Sequence, residues 1–130
     1  MNEPAAARGV LLLVEDDFDI REALSGILRD EGYTVRGASN GAEALETLRR
    51  DGAVDLIVLD LMMPVMDGWA FRQIQREDPK LNHIPVLVLS ADGGARERVQ
   101  ALGAVAFLRK PVQLDALLDA VAQFAVKRAS

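Results

Sequence analysis

The chain has 130 residues and a formal net charge of −5, and half of its residues are apolar. That length suits one domain with one core, and the acidic balance argues against nucleic-acid or anionic-membrane binding by the domain itself, because there is no basic excess to release counterions. With no cysteine, disulfides and thiolate metal sites are excluded. The start MNEPAAARG lacks the apolar core of a signal peptide, and no apolar run approaches the length of a membrane span.

In chain order, residues 10–14 are a short apolar run that reads as a buried strand ending in Glu15-Asp16-Asp17. Ile20, Leu24, Ile27 and Leu28 then recur at helical spacing. Asp19 followed by Glu22 fits a capping box, and Gly32 a helix stop. A weaker strand spans 33–38. Asn40 with Glu43 fits a second box, opening a helix striped by Ala42, Leu45 and Leu48. Residues 56–59 are a third strand, ended abruptly by Asp60. Beyond Met62, Met63 and Pro64, Asp67-Gly68 is a turn and cap for a helix near 69–75, packed by Trp69 and Phe71. Met62, Met63 and Met66 have no Cys or nearby His, so packing is the reading for them, not a soft-metal site. The single histidine, His83, lies in the polar loop KLNHIP and reads as solvated. Residues 86–89 are a fourth strand, delivering Ser90. A fainter helix over 95–102 ends at Gly103. Residues 105–108 are a fifth strand, followed by Arg109-Lys110-Pro111. Leu114, Leu117, Leu118 and Val121 stripe the last helix, whose end suits Lys127-Arg128.

Strict alternation of strand and helix implies a parallel sheet with helices on both faces. Sites in such sheets form at the carboxyl ends of the strands, where strand order reverses. Glu15, Asp16, Asp60, Ser90 and Lys110 all fall at that edge. Crowded carboxylates repel one another and call for a counter-charge; a hard cation such as Mg²⁺ is held by one or two carboxylates plus a substrate phosphate. Asp16 and Asp17 can also be read simply as helix caps, with capping preferred for Asp17. A carboxylate such as Asp60 is also a possible nucleophile, forming an aspartyl-phosphate. Lys110 can pair with a phosphoryl group and Ser90 can donate a hydrogen bond to it.

Four motifs in order, VEDD, LIVLDLMMPVMDG, VLVLSA and FLRKP, resemble the receiver domain of bacterial two-component response regulators, over about residues 9–126. The resemblance implies a flavodoxin-like three-layer α/β sandwich, with a doubly wound five-stranded parallel sheet in the order 2-1-3-4-5. It implies one domain across residues 1–130 with short flexible termini. Asp60 matches the phosphoacceptor. Glu15 and Asp16 match the acidic pair, Asp16 binding Mg²⁺ directly and Glu15 through water, with Asp60 and the backbone carbonyl of Met62 completing the metal ligands. Ser90 and Lys110 match the switch hydroxyl and the phosphoryl-binding lysine, and Lys110–Pro111 matches a peptide that is commonly cis. Phe107 stands where many members carry a switch tyrosine, and lacks its hydroxyl. Met62 and Asp92 occupy positions that tune dephosphorylation.

The implied function is a cytoplasmic phosphorylation switch, not an enzyme acting on released substrates. A histidine kinase or histidine phosphotransfer protein is its donor. A downstream protein reads a surface made of the helix over 95–102, the fifth strand and the last helix, including Arg96, Arg98, Val105 and Phe107. Direct nucleic-acid binding and a membrane association are not expected, and the domain is expected as a monomer or weak homodimer. The alternatives are a degenerate receiver serving as a constitutive interaction module and, less well matched, an FMN-binding flavodoxin-like protein. Glu15-Asp16-Asp17 would repel the FMN phosphate. A haloacid-dehalogenase-type phosphatase needs an acid two residues after the nucleophile, where Met62 stands. Met1 and the tail KRAS favour a stand-alone regulator over a phosphorelay shuttle or a receiver within a longer protein.

Overall fold

The short apolar runs become the strands of one sheet. The computed structural model describes residues 8–51, 53–91 and 100–125. In chain order these form β1 (Val10–Val14), α1 (Phe18–Asp30), β2 (Thr34–Ala38), α2 (Gly41–Asp51), β3 (Leu56–Asp60), α3 (Gly68–Glu77), β4 (Val86–Ser90), β5 (Ala106–Arg109) and α4 (Leu114–Phe124). All neighbours pair in parallel, in the order β2-β1-β3-β4-β5. This is the expected doubly wound arrangement. Asp92, Arg96, Arg98, most of the helix expected over 95–102, and Lys127-Arg128 lie outside the described residues.

Side chains alternate across each strand, and both faces are covered. Leu11, Leu13, Val58 and Leu89 meet Leu24 and Leu28 of α1 and Leu117 and Val121 of α4. Leu12, Val14, Leu59 and Val88 meet Ala44, Leu45 and Leu48 of α2 and Phe71 of α3. Two-sided cover is why the central strands read as unbroken apolar runs rather than as alternation. A buried polar network ties α3 to the lead-ins of β4 and β5. Gln75 Nε2 donates to the carbonyls of Leu81 (2.9 Å) and Ile84 (3.0 Å). Arg72 donates from Nε to Leu102 O (2.8 Å) and from Nη1 to Gln75 Oε1 (2.5 Å). Each polar group buried there has a partner, which is the condition for such a network to be stabilising.

Several local expectations need correction. Asp19 lies within α1; the cap is Asp17, whose Oδ1 accepts from Ile20 N at 3.0 Å. The turn is set two residues earlier because the Glu15 carboxylate accepts the Asp17 N–H at 3.1 Å. The Asn40 box does form, but Glu43 reaches back to Ser39 N (2.9 Å), one residue before the cap. Ile20 (43% exposed), Ala42 and Leu114 (45% exposed) lead their stripes yet stay in solvent. All three stand in the first turn of a helix that starts just past a strand's carboxyl end, where no sheet lies beneath. Tyr33 is buried but precedes β2, Val105 precedes β5, and β5 extends to Arg109. Asp67 caps α3 as expected, accepting from Ala70 N at 2.9 Å. Gly32 (φ +100°) and Gly103 (φ +70°) follow helical residues in the left-handed conformation that favours glycine.

Candidate functional site

The strand order reverses between β1 and β3, and the acids come from these two strands. Alternation decides which way each points. Glu15 continues the face of Leu11 and Leu13, Asp60 that of Leu56 and Val58, and Lys110 that of Ala106 and Leu108. Three charged side chains thus emerge from the α1/α4 side. Ser90 and Phe107 have the opposite parity, that of Val86 and Val88. Val88 pairs with Phe107 and Ser90 with Arg109, so Ser90 and Phe107 are diagonal neighbours on the α2/α3 side.

Carboxylate oxygens of Glu15, Asp16 and Asp60 lie within 4.8 Å of one another. Glu15 and Asp60 are 2% and 3% exposed, and Asp16 is open to solvent. Lys110 Nζ bridges the two buried acids, 2.9 Å from Glu15 Oε1 and 3.3 Å from Asp60 Oδ2. The other Asp60 oxygen, Oδ1, accepts from Met62 N at 3.2 Å. Burial pushes Glu15 above the usual carboxylate range, aided by the Asp60 charge and opposed by the bonds from Lys110 and Asp17 N. Burial works to lower Lys110, but Glu15 and Asp60 together outweigh it and hold the ammonium above its ordinary value. Three carboxylates against one ammonium leave an all-oxygen, net negative donor set open on the Asp16 side. That chemistry fits a hard divalent cation.

The remaining candidates surround this centre. Ser90 is buried at the end of β4, and its carbonyl accepts the Lys110 N–H at 2.9 Å. The Lys110–Pro111 peptide is cis. Phe107 is half-buried on the edge strand, Met62 is exposed beside Asp60, and His83 is exposed at the opposite edge of the sheet. The loop after Asp60 is pinned twice: Gly68 N donates to Leu61 O (2.9 Å) and Gly41 N to Met66 O (2.8 Å). Between the pins, Met66 N donates to Pro64 O at 2.8 Å, a γ-turn with Val65 at φ +69°. Gly68 comes so close that a Cβ there would stand 2.6 Å from Asp60 O and 2.7 Å from Leu61 Cα. Only a residue without a side chain lets α3 start this near the acid.

Sequence reasoning did not identify Gly68 as a contact to Asp60, nor Arg21, whose Nη1 donates to Glu15 O at 2.7 Å. A glycine after Asp reads as a turn, and an arginine on a helix reads as solvated. The one available signal was Gly37, a lone glycine inside a strand, which marks a close approach. A Cβ there would meet the Arg21 side chain.

Comparison with known proteins agrees with this geometry. The sequence pattern of the response regulator receiver domain matches residues 11–122. The chain is 43% identical over 114 residues to the transcriptional regulatory protein GlrR of Escherichia coli K12, covering 85% of this chain but 25% of that protein. It therefore spans about a quarter of that relative. A putative response regulator from Chloroflexus aurantiacus superposes with a TM-score of 0.83 at 30% identity, covering 95% of this chain and 98% of the other. The chemotaxis response regulator CheY4 of Vibrio cholerae superposes with a TM-score of 0.80 at 31% identity, over 89% and 98% of the two chains. With the family's pattern running through nearly the whole sheet and the acids gathered where that sheet reverses its order, the chain belongs to the receiver domains of two-component response regulators, which are signalling domains.

Proposed function

We propose that Asp60 accepts a phosphoryl group from a phosphohistidine of a partner kinase or phosphotransfer protein. The observation that carries this reading is the Asp60 carboxylate at the end of a fully buried strand, 3.3 Å from Lys110 Nζ and gathered with Glu15 and Asp16. In the transfer, an Asp60 oxygen forms the new O–P bond as the N–P bond to the donor's imidazole breaks. The leaving nitrogen keeps the electron pair and takes up a proton.

Mg²⁺ bound by Asp16, Asp60 and the Met62 carbonyl, with Glu15 acting through water, would screen the phosphoryl charge. Lys110 then pairs with phosphoryl oxygens and Ser90 donates its hydroxyl to the same group. Drawing Ser90 toward the acceptor changes the space beside its diagonal neighbour Phe107. The added charge thereby biases β5 and the helices flanking it toward a second state that a target protein reads. The protein promotes its own phosphorylation and hydrolysis and turns over no released substrate.

A protein donor is supported by where most of the large apolar side chains stay in solvent. Among the described residues, Phe18, Ile20, Met62, Val65 and Leu114 follow the carboxyl ends of β1, β3 and β5, around the acids, and Val105 alone stands at the other end, before β5. Such clustering suits contact with another macromolecule. No helix among the described residues is long and apolar enough to cross a membrane. We place the domain, one receiver unit across residues 1–130, in the cytoplasm as a monomer or weak homodimer.

The test is intact-mass measurement after incubation with acetyl phosphate and Mg²⁺, beside Asp60→Asn. One added phosphoryl group is expected on the parent and none on the variant. Equal addition to both would remove Asp60 as the acceptor, and no addition to either would favour a constitutive interaction module.

A further inference from the structure

We infer that Arg21 is a positioning residue for the metal-binding acids, holding the turn that carries Glu15 and Asp16; this rests on the reading of those acids as a Mg²⁺ site. Every polar group of Glu15 with a bond in the structure is tied to a different element. Its N–H donates to Ala38 O of β2 at 3.0 Å. Its carboxylate accepts from Lys110 Nζ (2.9 Å) and from Asp17 N (3.1 Å). Its carbonyl accepts from Arg21 Nη1 at 2.7 Å. The last bond bears most directly on Asp16, because that carbonyl belongs to the peptide joining the two acids. Asp16 is exposed at the turn between β1 and α1, so its direction depends on how firmly that peptide is held.

Arg21 is itself held in place. Its guanidinium lies over the Phe18 ring, 5.5 Å from the centroid. Its stem crosses Gly37 of β2, where a Cβ would stand 3.2 Å from Arg21 Cδ and 3.4 Å from Nε. The bare surface at Gly37 is what lets a helix side chain reach back under the strand end. Arg21 therefore braces the turn against β2 through the Glu15 backbone and not through a ligating carboxylate. Groups that orient metal ligands in this indirect way affect affinity by about tenfold or more. Charge alone predicts the opposite sign, because losing a cation beside three acids should favour a dication.

Calorimetric titration of the full chain with Mg²⁺ tests this. R21M is expected to weaken binding about tenfold, and R21K, which keeps a donor, to recover part of the loss. G37A should weaken binding by less than R21M, through displacement of the Arg21 stem. Arg29 provides the control. It sits on the same helix and its Nη2 donates to a sheet carbonyl, Val35 O, at 3.0 Å, but it lies away from the acids. R29M should bind Mg²⁺ as the parent does while losing comparable thermal stability in Mg²⁺-free buffer. R21M binding as tightly as the parent, or more tightly, would overturn the inference. So would a loss no larger than that of R29M. A parent that binds no Mg²⁺ would overturn the site reading, and this inference with it.

Discussion

β3 and β5 deliver the two charges that meet 3.3 Å apart as Asp60 and Lys110, yet the strands are built differently. Every residue of β3 is buried, between neighbours on both sides and helices on both faces. β5 is half-buried along its length, ends exposed at Arg109, and pairs with β4 alone. The proposed acceptor therefore ends a fully buried strand, and its counter-ion follows the least buried one. Phe107 lies on that same edge strand. The proposed switch would draw on this division, with a nucleophile whose place does not vary and a responding edge with little packing to undo.

The contrast can be attacked directly. Leu59→Ala in β3 should cost about 3–4 kcal/mol in urea unfolding, the loss of a fully enclosed leucine. Leu108→Ala in β5 should cost only about 1–2 kcal/mol, because its half-buried side chain leaves a site that solvent can reach. Equal losses would erase the distinction. Gly68→Ala tests how rigidly the proposed acceptor is held. A Cβ set against the backbone of Asp60 and Leu61 should cost about 2 kcal/mol and slow phosphorylation by acetyl phosphate. A variant with parental stability and rate would mean that the end of β3 gives way easily.

The smallest effect concerns the charges themselves. Burial raises Glu15 above its ordinary value. A raised carboxyl contributes stability below the unfolded value of about 4.3 and loses it as pH climbs through the folded value. Ionised Glu15 therefore works against folding at neutral pH in the metal-free protein. Glu15→Gln should raise the melting temperature there, with the gain shrinking as pH falls through the raised Glu15 value and gone once the ordinary glutamate value is reached. Lys110 draws stability from the same pair, so a lower melting temperature at neutral pH would show that its attraction outweighs burial.

Much of this was legible without coordinates. Runs such as LLLV and LIVL reveal two-sided strands because nothing polar can sit on either face. The residue that ends each run must then emerge at the carboxyl edge, which locates Glu15, Asp60 and Ser90. Less legible was anything depending on where an element overhangs its neighbour. Ile20 and Leu114 fit their helical stripes and still lie in solvent, since periodicity carries no information about where the sheet stops. Asp17 and Asp19 both read as caps in the sequence; Asp17 takes the role, and the Glu15 carboxylate, fixed by burial and Lys110, supplies the reason by holding the Asp17 N–H.

By itself, then, the amino-acid order determined the number of strands, their parallel sense and the strand end at which each acid or hydroxyl emerges, because these follow from local hydrophobic period and chain connectivity. Tertiary structure alone decided which of those groups meet. Lys110 stands 95 residues from Glu15, and their bond exists because β5 closes the sheet at the proper register and parity. It also decided which side chains are braces. Arg21 acquires its partner only when α1 is laid across a glycine of β2, a contact set by packing between elements and not by any property of arginine in a helix.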